Sequence, residues 1–207
     1  MIRDLLLSVV GACLYTEFVG YWLHMLLHSE KLAFLSRNHM IHHLVVYPPN
    51  KPMRQSSEYL GSTYDRANVL GIGLEWVAPV SLILPVSLLA LRSLGVPAAC
   101  QAVFVLVSMA WGYLMFGYMH DAMHLKGFWM TTNLRLSRWF MTARKRHDIH
   151  HMEISASGKQ QKNFGICFFL FDRLFGTLSA EHKPFNRDGL GAAMKRYSYI
   201  FPQASMI

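Results

Sequence analysis

LLLSVVGACLYTEFVGYWLHMLLH, residues 5–28, is the stretch that decides the fold of this chain. Its apolar part, residues 5–27, can cross a bilayer, because a helix rises about 1.5 Å per residue and about 20 residues span the hydrocarbon core. Glu17 carries the one full charge within it, and His24 and His28 stand at its end. The stretch therefore predicts a membrane helix that ends in two potential metal ligands about one helical turn apart.

Two further apolar stretches, residues 71–91 and 97–119, are also long enough to span a membrane. Only residues 92–96 separate them, so we expect two antiparallel neighbouring helices. Lysine and arginine are concentrated in residues 28–68 and 120–207. Because cytoplasmic segments are enriched in these residues, both segments are expected in the cytoplasm and the N-terminus outside. The predicted location is a bacterial inner membrane or the endoplasmic reticulum.

The composition indicates a single membrane domain over residues 1–207. Hydrophobic residues make up 53% of the chain and charged residues 15%, against about 25% charged in soluble domains. The formal net charge is +8, but the basic residues flank apolar stretches and form no nucleic-acid-binding motif. They indicate contact with anionic lipid headgroups and no nucleic-acid partner. Three scattered cysteines predict buried thiols in a reducing compartment: Cys13, Cys100 and Cys167.

Ten of the eleven histidines fall into four clusters, two of the form H-x-x-x-H and two of the form H-x-x-H-H. In chain order the clusters are His24 and His28; His39, His42 and His43; His120 and His124; His147, His150 and His151. Residues at i, i+3 and i+4 share a helical face, so each cluster is expected to aim its imidazoles in one direction. The first and third stretches both run toward the cytoplasm, so all four clusters are expected on that side.

Ten imidazoles exceed the four to six positions of one metal ion and suit two ions. Zinc is an alternative at an all-nitrogen site, but structural zinc sites commonly use thiolates and four ligands. The H-E-x-x-H pattern of zinc peptidases is absent. Iron with dioxygen chemistry needs an apolar, water-free surrounding, which a site against the bilayer provides. A pair of irons is therefore favoured over a zinc hydrolase or a non-redox metal transporter, whose ligands would lie deep in the spans.

The order His24-x3-His28, His39-x2-His42-His43, His120-x3-His124, His147-x2-His150-His151 resembles the fatty acid hydroxylase/sterol desaturase superfamily of membrane di-iron enzymes. Downstream, Asn163-Phe164-Gly165 and the run FDRLFGT at residues 171–177 are similar to the C-terminal signature of that superfamily. The resemblance covers about residues 24–177 and implies an all-α membrane fold of about three spans, with a cytoplasmic helical cap that holds a histidine-rich dimetal site.

The resemblance also implies a chemistry. Two non-haem irons, with O2 as co-substrate, would hydroxylate an unactivated C–H bond of a fatty acyl chain or sterol-like lipid. A separate electron donor of ferredoxin or cytochrome b5 type, with its reductase, is expected. Desaturation, ether cleavage and carotenoid hydroxylation on the same ligands stay open, and zinc could replace iron in purified protein. With only three spans, closure of a lipid tunnel would need a homo-oligomer or a surface helix.

Five residues besides the ten clustered histidines are further candidates for a part in the site. Asp121 and Asp148 follow the first histidine of their clusters, where a carboxylate can accept a proton from a ligating imidazole or pair with a nearby cation. Asn163 is expected to reach the site under a phenylalanine-rich segment that caps it. Glu17 could contact the site or form a hydrogen bond within the bundle. His182 is predicted to be solvated in a polar loop.

Three apolar residues precede His120 on one face of the third stretch: Met109, Tyr113 and Phe116. They are placed to line a channel for an acyl chain. Ordinary helix packing predicts the same spacing, so the sequence leaves both explanations open.

Overall fold

The part of the chain that the structure describes is almost entirely helical. The structure is a computed structural model, and it describes residues 1–51, 54, 68–69 and 72–201. Within these residues, eight α-helices are connected by short 3-10 and π-helical segments, and a single antiparallel strand pair joins Asn68–Val69 (β1) to Ile72–Gly73 (β2). The predicted all-α fold class is confirmed.

The helices differ widely in length, and the clustered histidines lie on or directly after four of them. They are α1 (Ile2–Leu27), α2 (Ala33–Ile41), α3 (Leu74–Ser93), α4 (Ala98–Gly112), α5 (His120–Met123), α6 (Ser137–Met152), α7 (Leu170–Leu174) and α8 (Arg187–Arg196). Two π-helical segments extend them: His42–Val46 continues α2, and Tyr113–Met119 joins α4 to α5. Such segments are rare and frequent at functional sites, and both adjoin histidine clusters here.

Three helical stretches in the described residues are long and apolar enough to cross a membrane: Ile2–Leu27, Trp76–Ser93 and Ala98–Met123. The predicted number and order of spans are confirmed. The first begins at Ile2 rather than at residue 5, and the third continues to Met123, so that it includes His120. The predicted start of the second span, residue 71, lies outside the described residues, as do residues 55–67 of the first predicted cytoplasmic segment.

A tight turn joins α3 to α4, as the sequence predicted. Gly95 has a φ of 71°, in the left-handed region that favours glycine at a helix C-terminus. The backbone N–H groups of Gly95 and Val96 donate to the carbonyls of Arg92 and Leu91 at 3.0 Å. These bonds satisfy the last carbonyls of α3 and turn the chain into α4.

Helices α1 and α4 pack side by side and run in the same direction. The Trp111 indole N–H donates to Glu17, and further along both helices the Phe116 ring packs on Gly20. The residue numbers of the contacts rise together, which defines a parallel pair. A Cβ on Gly20 would lie 1.9 Å from the Phe116 ring, so glycine is required for this approach. Both helices therefore bring their histidine-bearing ends to one level.

Two apolar clusters hold the shorter helices in place. One joins the π-helical segment and α5 to α6, through Met119, Met123, Phe140 and Ala143. The other joins α2 to α8 and the chain after it, through Met40, Leu44, Ala193 and Tyr197. In each cluster some of the apolar residues adjoin histidines in the chain, as Met119 and Met123 adjoin His120 and His124. The packing therefore fixes the direction in which each histidine points.

Candidate metal centre

The ten clustered histidines form two groups of five among the described residues. The first group is His24, His28, His39, His43 and His150, and the second group is His42, His120, His124, His147 and His151. In each group, one ring nitrogen from each histidine lies within 4.8 Å of the others, and every side chain is buried. Each group is therefore spaced to surround one metal ion.

Each H-x-x-H-H cluster is divided between the two groups, which corrects the expectation that every cluster points one way. The first and last histidines of a cluster go to one group and the middle one goes to the other: His39 and His43 against His42, and His147 and His151 against His150. The reason is helical geometry, because a helix turns once per 3.6 residues and adjacent residues lie about 100° apart. The two H-x-x-x-H pairs, by contrast, each stay within one group.

The two groups touch each other through stacked rings. The imidazoles of His43 and His151 are nearly parallel, at an interplanar angle of 21° and a centroid distance of 3.9 Å. One belongs to the first group and the other to the second. Removal or displacement of either ring therefore changes the packing of both groups.

Several buried ring nitrogens are placed as metal ligands rather than as hydrogen-bonding groups. Among the described residues, Nε2 of His24, Nε2 of His120 and both ring nitrogens of His43 have no hydrogen-bond partner. A buried polar atom without a partner costs about 1–3 kcal/mol. Convergence of such atoms is favourable when a cation sits between them. The donor set fits a metal that accepts imidazole, such as iron or zinc.

Burial also keeps five of the clustered imidazoles neutral. It lowers the pKa of His39, His43, His147 and His151 well below the ordinary 6.5, and the neighbouring histidines lower it further. Burial likewise lowers the pKa of His150 to about 4. A neutral imidazole keeps a lone pair for a metal, so the rings are in the binding form at neutral pH.

Two backbone carbonyls orient histidines of the first group. Nδ1 of His24 donates to the carbonyl of Phe164 at 2.6 Å, and Nδ1 of His150 donates to the carbonyl of Lys162 at 2.7 Å. With the proton on Nδ1, the Nε2 atom of each ring faces the group as a ligand. Hydrogen bonds of this kind fix the tautomer and the orientation of metal-binding histidines.

Asn163, which lies between these two carbonyls, makes its own hydrogen bonds to the backbone. Its side-chain amide donates to the carbonyls of Arg146 and Ser179, both at 2.9 Å, and accepts from the Ser179 N–H. Its φ of 56° is left-handed, a conformation that asparagine tolerates better than most residues. The sequence placed the Asn163 side chain at the site, whereas the backbone on either side of it contacts the histidines.

The two aspartates of the histidine clusters have different partners. Oδ1 of Asp121 lies 3.3 Å from Nδ1 of His120 and accepts a hydrogen bond from it. Asp148 instead pairs with Arg54 at 2.6 Å, the salt bridge that was the alternative for this residue. One of the two candidate carboxylates therefore contacts a histidine of the second group.

Glu17 and His182 lie away from the two groups. Glu17 is buried, and the Trp111 indole N–H donates to it at 2.8 Å, which is the hydrogen-bonded alternative within the bundle. His182 is exposed, in agreement with the predicted polar loop. The phenylalanine-rich segment docks on α1, where the Phe175 ring lies 5.4 Å from Tyr21 and 5.3 Å from Trp22.

An apolar cavity of about 370 Å³ lies between α1, α3 and the end of α4. Met109, Tyr113 and Phe116, the three residues placed on a channel face by the sequence, all line it. Trp76 also lines it, and its ring lies 6.1 Å from the His24 ring and 6.4 Å from the His39 ring. The Trp76 side chain therefore contacts the cavity on one side and the first histidine group on the other.

The comparison with protein families agrees with this arrangement. The family model described as fatty acid hydroxylase matches residues 9–177, a range that contains all ten clustered histidines. The chain belongs to the fatty acid hydroxylase family. The resemblance noted from the order of the histidines is confirmed, and membership in this family indicates an enzyme of the oxidoreductase class. No curated protein sequence and no solved structure matches the chain significantly.

The sequence reasoning missed three residues that support this fatty acid hydroxylase site: Trp76, Arg144 and Asp172. Arg144 is buried and donates to the carbonyls of Ala122 and Leu125, at 3.0 and 2.8 Å, where α5 ends. Burial lowers its pKa to about 10. The signal for Arg144 was its position three residues before His147 on α6, and the signal for Asp172 was its place within the family signature. Nothing local distinguished Trp76 from an ordinary membrane tryptophan.

Proposed function

We propose that this protein is an O2-dependent di-iron oxidoreductase that hydroxylates an unactivated C–H bond of a membrane lipid. The observation that carries the proposal is the apolar cavity at the first of two five-histidine groups. Ligand sites are typically apolar cavities of about 300–1,000 Å³ with a few polar groups at one end. Here the cavity lies within the span region and the histidine groups lie beyond its end.

The apolar lining of the cavity supports an acyl chain as the substrate. Its described walls are almost wholly apolar side chains, among them Val19, Leu23, Val80 and Leu84. α3 forms one side of the cavity, and none of the residues of its membrane span, Trp76–Ser93, is buried within the protein. A chain could therefore reach the cavity from the bilayer past α3, without its carbons leaving an apolar surrounding.

The histidine groups would hold one iron each. Each group offers five imidazoles, and none of the three cysteines belongs to a group, so the thiolates typical of structural zinc sites are missing from both. When bound, the two irons would supply the reduction of O2 and the oxidation of the substrate. In that reaction one oxygen atom enters the C–H bond and the other leaves as water, with two electrons and two protons from outside.

The chain itself contributes orientation and the exclusion of water. Trp76 and Phe116, whose rings are 5.4 Å apart, form the boundary between the cavity and the histidines and would position one carbon of the chain. The buried surroundings of all ten histidines keep water from the reacting atoms. Asp121 would hold His120 in a fixed tautomer.

The electrons would come from a separate protein of ferredoxin or cytochrome b5 type, on the cytoplasmic side. The support for this orientation is the excess of basic residues in the segments that follow the first and third spans. A reporter enzyme fused after Ile207 is expected to be active only inside the cell, and one inserted at Gly95 only outside. The reverse pattern would place the histidine groups away from cytoplasmic reductants and contradict the proposed orientation.

Two measurements test the function itself. Protein purified without oxygen and loaded with Fe²⁺ should hold close to two irons per chain. Lipid mass spectrometry of cells that express the chain under 18O2 should find one labelled hydroxyl on an acyl chain, absent with His151→Ala. One tight zinc and no second ion would overturn the di-iron proposal. A new double bond without label would identify a desaturase, and a labelled carotenoid would replace the acyl substrate.

A further inference from the structure

Asp172 is a fully buried carboxylate that binds the segment next to the first histidine group. It is 0% exposed. Its two oxygens accept from the backbone N–H groups of Phe164 and Gly165, both at 2.7 Å, and Oδ1 also accepts from the Thr177 hydroxyl at 2.8 Å. A carboxylate this deeply buried is stable only with such bonds. Two of these three bonds come from consecutive peptide groups, Asn163–Phe164 and Phe164–Gly165.

One of these peptide groups connects Asp172 to a histidine. The carbonyl of Phe164 and the N–H of Gly165 belong to the same planar trans unit, in which they point in opposite directions. The N–H donates to Oδ2 of Asp172, and the carbonyl accepts from Nδ1 of His24 at 2.6 Å. Asp172, one peptide group and His24 therefore form a continuous chain of hydrogen bonds.

Such a chain does two things to His24. It fixes the plane of the peptide, and thereby the direction in which the His24 ring must lie. It also polarises the carbonyl, because hydrogen bonds in series strengthen one another in a low-dielectric interior. A carboxylate that accepts directly from a metal-binding histidine raises the basicity of that histidine. Here the same effect would be transmitted through a peptide group.

The local backbone is built to permit this arrangement. A Cβ on Gly165 would lie 2.7 Å from Oδ2 of Asp172 and 2.7 Å from the Phe168 carbonyl, so a larger residue would force the carboxylate away. The Lys162–Asn163 peptide group, two before it in the chain, is held in a similar way: the Asn163 N–H donates to the Thr177 carbonyl, and the Lys162 carbonyl accepts from His150. Both histidines served in this way belong to the first group.

We propose that Asp172 is a positioning residue for the first histidine group, acting on His24 through the Phe164–Gly165 peptide. The inference rests on the proposed function in that the first group must hold an ion. It makes a selective prediction, because the hydrogen bonds of Asp172 and of its peptide lead to His24 and, among the described residues, none of them reaches the second group. A merely structural role would affect both groups together.

The test is iron binding by full-length protein in detergent, with Fe²⁺ added without oxygen and competed with a chelator. Asp172→Asn keeps the shape but offers one acceptor oxygen, so its amide NH2 would face a backbone N–H. Wild type should hold close to two irons. The variant should hold close to one, with affinity at the other site lowered by about 10–100-fold, as for other changes behind metal ligands.

Two double variants identify which site has lost its iron. Combined with His24→Ala, Asp172→Asn should cause no further loss; combined with His124→Ala, it should remove the remaining iron. Asp188→Asn, an exposed aspartate on α8, is the matched control and should keep both irons. If Asp172→Asn is poorly folded, Thr177→Val removes one donor to the carboxylate and should lower affinity at the same site by a smaller factor.

The outcomes separate this inference from the proposed function. Two irons in wild type and two in Asp172→Asn, with equal affinities, would overturn the role of Asp172 alone. Equal loss from both sites would also overturn it, because that result describes a general effect on the fold. A wild type that binds fewer than two ions would overturn the proposed function, and this inference with it.

Discussion

Each of the two histidine groups offers five imidazoles, but the two groups are supported in different ways. In the second group a carboxylate, Asp121, accepts directly from His120. In the first group a carboxylate, Asp172, stands one peptide group behind His24. The first group also lies against Trp76 and the apolar cavity. Two chemically equal sets of imidazoles can thus be made unequal by the atoms behind them.

The difference in support suggests that the two proposed irons have different roles. The first group is the one that a substrate chain in the cavity would approach, and its supporting partners are neutral backbone carbonyls. The second group has a charged partner in direct contact. A carboxylate in direct contact donates more electron density to a histidine than a carbonyl does. The two ions should therefore differ in affinity and in the ease with which they are reduced.

The largest effect is expected at the stacked rings that join the groups. His43→Ala and His151→Ala each remove one ligand and one half of the stack, whose rings are 3.9 Å apart. Alanine leaves a coordination gap, so both variants, and His124→Ala with them, should abolish turnover and lower bound iron. Turnover, iron content and membrane abundance should be measured together. A well-expressed His151→Ala with full iron and full activity would contradict the division into two groups.

The next largest effect concerns the side of the first group that faces the cavity. Trp76→Ala would remove the ring between the cavity and His24, so a bound chain could slide past its normal position. Turnover should fall by about 10–100-fold, because small misplacements of a reacting carbon are costly. Mass spectrometry should find the hydroxyl on a different carbon, with iron content unchanged.

Trp129→Ala is the matched control for Trp76, because Trp129 is half-exposed and lies outside the cavity lining. It should leave the position of the hydroxyl unchanged. An unchanged product from Trp76→Ala would mean that the substrate reaches the histidines by another route. The cavity would then no longer distinguish the first group from the second.

Asp121→Asn tests the direct carboxylate of the second group. Asparagine can still accept one hydrogen bond from His120 but carries no charge, so iron affinity at one site should fall by about 10–100-fold. In a His24→Ala background the remaining iron should be lost, whereas Asp172→Asn should spare it. Identical behaviour of the two aspartate variants in that background would remove the distinction between the groups.

The smallest effect is expected at Asp148, which pairs with Arg54 rather than with a histidine. Both side chains are about one-fifth exposed, so the pair contributes on the order of 1 kcal/mol or less. Asp148→Asn should weaken activity a few-fold without silencing it, and Arg54→Gln should do the same. His182→Ala, at an exposed position, should change nothing. Complete loss of activity in Asp148→Asn or in His182→Ala would contradict the peripheral role given to that residue.

Much of the fold could be predicted because its signals are local. Length and apolar content predict the three spans, and the predicted ends differ from those in the structure by a few residues. The short connection before Pro97 predicts an antiparallel hairpin, since too few residues separate the spans for any other arrangement. The order of the four histidine clusters points to the family, and helical spacing explains why each H-x-x-x-H pair remains in one group.

The same helical geometry, applied one step further, could have predicted that each H-x-x-H-H cluster is divided. Adjacent positions such as His42 and His43 cannot share a narrow face, because about 100° separates them. Treating i, i+3 and i+4 as one direction concealed this difference. The error was therefore one of interpretation, and the needed information was present in the spacing.

The sequence by itself determined the membrane spans, the ten histidines and the family, because these follow from composition and from periodicity over a few residues. Only the tertiary structure decided which histidines meet, that Trp76 separates them from the cavity, and that Asp172 stands behind His24. Those contacts join residues that are far apart in the chain, such as His24 and Phe164, which are 140 positions apart. A peptide carbonyl has no signature in the sequence, since every residue carries one, and only its place in the fold makes it a partner for a particular ring.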